Sequence, residues 1–219
     1  MIKRMYYKKR IRSWEKSYKE AGDVLNAGRK QEAFRQIQKL AHAGYVMACA
    51  SLGIMYDAGI GTEKNPAKAV KWYRRAAGKG EPNAQCALGM MYEIGEGVRV
   101  NFKKAEKWHR KAAVQGVTES QHRLGTIYAE GLAGKKDSSL GAEWYRKAAE
   151  QGYASAQYDL GVMYCIGTGV EQDFFQAAGW FAKAAAQGDV RAKNRLIQLK
   201  EFGLDVNPCT ARKDLDSCI

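Results

Sequence analysis

The 219-residue sequence predicts an all-α protein built from stacked helix-turn-helix repeats, an architecture known as an α-solenoid. The main observation is the segment 52–56 (Leu-Gly-Ile-Met-Tyr), whose pattern returns with a constant step of 36 residues at positions 88, 124 and 160. Two further series keep the same step: a Trp followed by an aromatic or His residue, beginning at Trp72, and an Ala-Ala pair, beginning at Ala76. Periods of about 20–50 residues are typical of repeat proteins, whose units bury their apolar faces against one another.

Each repeat is expected to contain two helices. In the first complete repeat, one helix runs from about Met47 to Ala58, with apolar residues at helical spacing on one face. The loop 59–61 (Gly-Ile-Gly) is expected to end it, since glycine adopts the positive φ angle found after helix C-termini. Asn65 and Pro66 are suited to start the second helix as N-cap and first-turn residue.

Gly53 lies inside the first helix, where glycine costs roughly 1 kcal/mol of helix propensity relative to alanine. A glycine nevertheless returns at this position in every complete repeat. We interpret the recurrence as a close approach, in which the small residue lets the helix that carries Trp72 pack tightly.

The period also predicts the domain organisation. Residues 1–12 form a basic N-terminal arm, and residues 13–44 form a degenerate N-terminal capping repeat in which Gln36 replaces the Trp. Terminal units of a stack are usually atypical because one side meets water. We expect four complete repeats at 45–80, 81–116, 117–152 and 153–188, a capping helix at 189–202 and a tail at 203–219.

The charge is concentrated near the N-terminus. The formal net charge is +13, and residues 1–43 contribute a net +8 of it. Such an arm could contact nucleic acid or an anionic membrane weakly, but a basic segment without a base-reading motif is more often a solvated one. Both interpretations stay open for its basic residues, which are Lys3, Arg4, Lys8, Lys9, Arg10 and Arg12.

The sequence contains five cysteines, an odd number, at spacings that match no zinc-binding pattern. No run of 18 apolar residues predicts a transmembrane helix, and the N-terminus lacks the apolar region of a signal peptide. We therefore expect a cytoplasmic protein with reduced thiols. Pairing of Cys209 with Cys218 stays open.

Nothing in the sequence predicts catalysis. The three histidines, His42, His109 and His122, have no nucleophile or metal-ligand cluster at a characteristic spacing, and the repeated glycines follow no strand. We expect no enzymatic activity, no catalytic or metal-binding residue, no cofactor and no small-molecule substrate.

The motif A-x-x-x-L-G-x-M-Y-x-x-G-x-G followed by K-A-x-x-W-Y-x-K-A-A-x-x-G resembles the Sel1-like repeat (SLR) family, a relative of the tetratricopeptide repeat. Residues 157–170 are close to this pattern, and the resemblance covers about two thirds of the chain. It implies a right-handed superhelix with a concave groove lined by the first helix of each repeat. Some secreted members carry a regular cysteine pair in every repeat; this chain departs from that pattern, which argues against their penicillin-binding activity.

By analogy with tetratricopeptide stacks, sixteen residues are expected to line the groove. They are Met47, Ala50, Ile54, Asp57, Asn83, Ala87, Met90, Glu93, Glu119, Arg123, Thr126, Ser155, Asp159, Val162, Arg191 and Arg195.

The predicted groove begins apolar, with methionines that adapt to varied partners, then becomes acidic and ends basic. We interpret the protein as a non-enzymatic adaptor or scaffold that binds a protein or peptide segment with an apolar anchor and a basic stretch. The alternatives are a toxin-neutralising binder of the immunity type, or binding of nucleic acid or anionic membrane through the arm.

Overall fold

The structure, a computed structural model, describes residues 2–201, with side chains from Arg10 onward. Within this range the fold is all-α, with eleven helices and no strand. In chain order the helices are α1 (Ile2–Asn26), α2 (Lys30–His42), α3 (Val46–Ala58), α4 (Pro66–Ala77), α5 (Pro82–Ile94), α6 (Phe102–Ala113), α7 (Thr118–Glu130), α8 (Ser138–Glu150), α9 (Ala154–Ile166), α10 (Phe174–Ala186) and α11 (Val190–Glu201).

The helices pack mainly against their neighbours in sequence, within two compact units that comprise residues 1–112 and 113–219. In unit 1, α1 packs on α2, α2 on α3, α3 on α4 and α4 on α5, and α3 also touches α5. In unit 2, α7 packs on α8, α8 on α9, α9 on α10 and α10 on α11. The core of each unit is therefore built from successive helical hairpins, as the repeat pattern predicts.

Polar residues at one repeat position begin the second helix of each complete repeat. The Asn65 side chain accepts a hydrogen bond from the Lys68 amide at 2.9 Å, and Asp173 accepts one from the Gln176 amide at 2.9 Å. Asn101 and Asp137 make the same contact in the two intervening repeats. These side chains satisfy backbone N–H groups that lack partners inside the helix.

The recurring glycine provides the predicted close approach to the helix that carries Trp72, and the aromatic residue it faces is the one directly after the tryptophan. A Cβ built on Gly53 would lie 2.6 Å from the ring of Tyr73, so the neighbour is Tyr73 rather than Trp72. The equivalent glycines face His109, Tyr145 and Phe181. Tyr73 and its equivalents lie on the side of the second helix that faces the first helix, because successive residues on a helix point about 100° apart.

A buried glutamine recurs at the start of three first helices. Gln85 and Gln157 each donate a side-chain hydrogen bond to the carbonyl oxygen of a residue eight positions earlier, at 3.2 and 3.0 Å. Gln121 makes the same bond at 3.1 Å. The bond ties each first helix to the C-terminal end of the preceding second helix, where helix carbonyls need partners.

The N-terminal arm is not separate from the first unit along the backbone. Helix α1 continues without interruption from Ile2 to Asn26. Residues 2–21 contain neither glycine nor proline and are rich in Lys, Arg and Glu, which favour helix. No helix among the described residues is long and apolar enough to cross a membrane. The predicted tail at 203–219 and Phe202 at the end of the predicted capping helix lie outside those residues.

Candidate protein-binding surface

The sixteen residues predicted to line a groove lie on α3 and α5 in unit 1 and on α7, α9 and α11 in unit 2. We call these residues the first-helix face. Leu52 and its equivalents are fully buried in the core. Because an α-helix turns about 100° per residue, a residue two positions after Leu52 points to the opposite side of α3. Ile54 occupies that position, and its equivalents are Met90, Thr126 and Val162.

In unit 1, most of the first-helix face is accessible. Ile54 is 49% exposed and Met47 is 42% exposed, so two large apolar side chains of α3 are accessible to a partner. Asn83 is also exposed, whereas Ala50 is buried and offers a partner little surface. The remaining members, Asp57, Ala87, Met90 and Glu93, are half-buried.

Carboxylates gather at the C-terminal ends of α3 and α5. Burial raises the pKa of Asp57 above its ordinary value, and the negative charge of Glu96 raises it further, while Lys64 opposes the shift. Lys64 is held by Glu96, with Nζ and Oε1 2.7 Å apart. Glu93 lies 3.2 Å from Nε2 of the buried His109. A positive charge placed beside Asp57 would therefore stabilise its ionised form.

In unit 2, several residues of the first-helix face make polar contacts with neighbouring side chains. His122 Nε2 lies 2.7 Å from Oδ2 of Asp159, which joins α7 to α9. The imidazole sits between the rings of Tyr145 and Tyr153, at 5.4 and 5.2 Å between centroids. Thr126 Oγ1 lies 3.0 Å from the Tyr145 hydroxyl. Asp159 and Thr126 are thus engaged within the unit.

Helix α11 carries the basic end of the first-helix face. The exposed Arg191 guanidinium lies 4.2 Å from the ring centroid of Tyr158 and forms an ion pair with Asp189 at 2.7 Å. The exposed Arg195 donates to Oε1 of Gln198 at 3.0 Å. The four other members in unit 2, Glu119, Arg123, Ser155 and Val162, are half-buried.

A cleft of about 390 Å³ lies between α1 and α3 in unit 1. Its walls include Tyr18, Gly22 and Leu25 from α1 and Ile54 and Met55 from α3. It therefore adjoins the first-helix face through Ile54. The sequence did not predict this cleft, because the repeat pattern is degenerate in residues 13–44 and gives no register for α1.

The basic residues that recur on the second helices stack on the tryptophans. Arg75 lies 5.5 Å from the centroid of Trp72, and Lys183 lies 3.9 Å from that of Trp180. Lys111 and Lys147 make the same contact with the tryptophans three residues earlier. Cation–π contacts of this kind give the recurring basic position a partner within its own helix.

One arm residue whose side chain is described makes contacts within unit 1. The Arg10 guanidinium lies 4.5 Å from the centroid of Trp14 and donates to the Ala43 carbonyl at 3.3 Å. Arg12 is exposed. The side chains of Lys3, Arg4, Lys8 and Lys9 lie outside the described part, and a contact of the arm with nucleic acid or membrane stays a prediction.

Besides the cleft, sequence reasoning missed two features of the surface and its support. The recurring Gln85, Gln121 and Gln157 could have been found from their 36-residue step, although Cys49 interrupts the series in the first repeat. The pairing of His122 with Asp159 joins different positions of successive repeats, so the period alone gives no sign of it.

Reactive groups are sparse in the described residues. No group of three His, Cys, Asp or Glu side chains between residues 10 and 201 could hold a metal ion. Cys49 and Cys165 are free thiols, and burial raises the pKa of both. These two thiols are therefore weaker nucleophiles at neutral pH than an exposed cysteine.

Stacked helical hairpins that present one face of each first helix define the chain as an α-solenoid repeat protein. The model of the Sel1 repeat matches residues 46–81, 82–117, 118–153 and 154–189. The chain belongs to the Sel1 repeat family, whose repeats generally mediate protein–protein interactions.

Two solved structures are similar in both sequence and fold. One is a protective antigen of uropathogenic Escherichia coli with an SLR fold, at 34% identity over 88% of this chain and a TM-score of 0.84. The other is a Sel1 repeat protein from Oxalobacter formigenes, at 35% identity over 87% of this chain and a TM-score of 0.79. The chain spans 42% of the first structure's length and 78% of the second's.

The immunity protein Pa5087 from Pseudomonas aeruginosa shares the fold at a TM-score of 0.50, with 24% identity over 82% of this chain and 68% of its own. The search of curated proteins gave no match.

Proposed function

We propose that the protein is a non-enzymatic adaptor or scaffold that binds a segment of a partner protein on the first-helix face. One observation carries the proposal: two large apolar side chains of α3, Met47 and Ile54, are exposed seven positions apart on a helix whose other side, with Leu52, is core. An exposed apolar surface rimmed by polar groups favours protein binding. The membership in the Sel1 repeat family supports the same kind of partner.

The partner segment is expected to combine an apolar residue with positive charge. In unit 1, the apolar side chains adjoin Asp57, whose pKa is raised by burial and by the nearby Glu96. Methionine side chains such as Met47 and Met90 adapt their shape to different apolar groups. The specificity would then come from the placement of the carboxylates.

The test is affinity capture with two matched triple variants. The first variant carries Asn83→Ala, Met90→Ala and Arg195→Ala on the first-helix face. The control carries Lys71→Ala, Lys107→Ala and Lys193→Ala, which truncates exposed side chains elsewhere on α4, α6 and α11.

Proteins recovered with wild type and with the control, but reduced at least about tenfold with the first variant, would support the proposal; that ratio corresponds to about 1.4 kcal/mol. Equal recovery of every partner with both variants would show that the first-helix face is not the binding surface.

Neutralisation of a toxin remains an alternative prediction, since it would use the same kind of surface. The likeness to the Pseudomonas aeruginosa immunity protein concerns the fold. The two functions differ in the partner: a captured protein that stops growth when expressed alone, and is harmless when expressed together with this chain, would favour neutralisation.

A further inference from the structure

The cleft between α1 and α3 is shaped like a pocket for a single large side chain. Its volume of about 390 Å³ falls in the range of small-ligand sites, about 300–1,000 Å³. Gly22 leaves a gap in one wall, because a Cβ added there would meet nothing within 4 Å. Leu25 and Ile54 are apolar residues beside this gap, and the buried Ile37 and Met55 complete the lining.

The cleft is held open by contacts between the helices that form it. The Tyr18 hydroxyl and the Ser51 Oγ lie 2.6 Å apart, which links α1 to α3 beside the cleft. The ring of Tyr18 also packs edge-on against Tyr45 at 5.4 Å. A ligand would therefore enter a preformed site, which lowers the entropic cost of binding.

The charges around the cleft favour a cation. Lys19 and Asp23 both line it, four residues apart on α1, so their charges offset each other. Asp57 follows Ile54 by three residues on α3, which places it beside Ile54 on the helix surface. Burial raises the pKa of Asp57 and the charge of Glu96 raises it further, while Lys64, which is paired with Glu96 at 2.7 Å, opposes the shift. Asp57 is thus the carboxylate beside Ile54 with which a cation of the partner would pair.

We propose that this cleft binds a large aliphatic or aromatic side chain of a partner segment that also carries Lys or Arg about one helical turn away, beside Asp57. This inference rests on the proposed function and names the chemistry of the partner. A fatty acid or an anionic lipid fits less well, because its negative headgroup would approach Asp57 and Glu96.

The probe is a set of 12-residue fluorescein-labelled synthetic peptides, each with a single Leu, Ile, Met, Phe or Trp. The residue four positions from this anchor is Lys, Gln or Glu, and the other residues are Ala, Ser and Gln. Binding is followed by fluorescence anisotropy with wild type and with Gly22→Leu, which places a side chain inside the cleft.

The matched control is Gly179→Leu, because Gly179 is also a half-buried helical glycine whose added Cβ would meet nothing within 4 Å. Ile54→Asn removes the exposed apolar wall without touching the core. The charge is tested with Asp57→Asn against Glu143→Gln, an exposed residue of α8.

We expect the Lys peptides to bind at least about tenfold more tightly than the Glu peptides. Gly22→Leu and Ile54→Asn should weaken the Lys peptides about tenfold or more, and Asp57→Asn should remove most of the preference for Lys. Gly179→Leu and Glu143→Gln should bind as wild type does. Circular dichroism should show that Gly22→Leu keeps its helices, since leucine favours helix over glycine.

The inference is overturned if no peptide binds, if the Glu peptides bind as well as the Lys peptides, or if Gly22→Leu and Ile54→Asn bind normally. Sedimentation that shows a wild-type dimer, lost with Gly22→Leu, would also overturn it, because a second copy would then occupy the cleft.

If the Asn83, Met90 and Arg195 variant loses its captured partner while Gly22→Leu retains it, the proposed function stands and the cleft is not the anchor site.

Discussion

Gly161 illustrates how a residue with poor helix propensity can be the best choice at a packed position. Its α-carbon faces the ring of Phe181, which is fully buried, and an added Cβ would lie 2.7 Å from that ring. The ring thus occupies the space that a side chain would need. In unit 1, Gly53 faces Tyr73 and Gly89 faces His109 in the same way, so the ring differs between repeats while the glycine is kept.

Replacing Gly161 with alanine should destabilise the protein, although alanine favours helix by about 1 kcal/mol. Overpacking a core costs about 1–3 kcal/mol, so a net loss of about 1 kcal/mol is expected in the free energy of unfolding by urea. Gly179→Ala in α10 is the control, since its added Cβ has open space and should stabilise by about 0.4–1 kcal/mol. A stabilising effect of both changes would contradict the close approach.

The residue scale also shows what the sequence could and could not predict. The 36-residue step located Gly53 and its aromatic partner helix, but not whether Trp72 or Tyr73 made the contact, because adjacent residues on a helix recur with the same period. His122 and Asp159 are 37 residues apart, so no periodic series contains both. A contact between two different repeat positions depends on the length and direction of the two side chains. The structure shows these, but the repeat period does not.

At the scale of an element, α11 shows how one side chain can cap the start of a helix while the same contacts favour its own ionised form. Asp189 precedes the helix, and its Oδ1 accepts hydrogen bonds from the amides of Arg191 and Ala192 at 2.9 and 3.2 Å. The Arg191 guanidinium bonds to the same carboxylate. This bond, with the two amides, holds the pKa of Asp189 below its ordinary value.

A lowered pKa means that the folded protein favours the ionised carboxylate, so this stability is present above the unfolded pKa of about 3.9 and is lost as the pH falls through the lower folded value. Asp189→Asn keeps an oxygen that can accept the amide bonds but loses the charge. Its thermal unfolding midpoint should be below that of wild type at pH 7, by the equivalent of about 0.2–1 kcal/mol, and the difference should shrink below about pH 4.

The control for this prediction is the same substitution in an Arg191→Gln background, where most of the difference at pH 7 should disappear because the cation is absent. A difference between wild type and Asp189→Asn that grows as the pH falls would contradict the assignment.

At the scale of the whole molecule, the sequence predicted the number and order of the repeats because the period depends on core residues that every repeat needs. It did not predict the cleft at α1, where the pattern fades, nor the uninterrupted course of α1 from Ile2. The proposed function likewise depends on residues outside the periodic core. The core series fixes the fold and leaves the first-helix face free to vary. Under the proposed function, the choice of partner would therefore depend on residues such as Ile54 and Asp57, which carry no period.

A destabilising substitution in the core of one repeat is expected to affect mainly the neighbouring helices. Each helix packs mainly against its neighbours in sequence, and repeat proteins have stabilities that are approximately sums of local and nearest-neighbour contributions. Leu160 is fully buried in a cluster with Tyr145 and Met163. Leu160→Ala should therefore cost about 2–5 kcal/mol locally.

Native-state hydrogen exchange can locate this cost, because it reports the opening free energy of each segment. Amide exchange should accelerate in α8, α9 and α10, while the amides of α1 to α3 should exchange as in wild type. The converse variant, Leu52→Ala in α3, should accelerate exchange in α2 to α4 and leave α9 to α11 unchanged. A uniform acceleration along the chain in either variant would mean that the protein unfolds as one cooperative body, and that its stability is not a sum over neighbouring repeats.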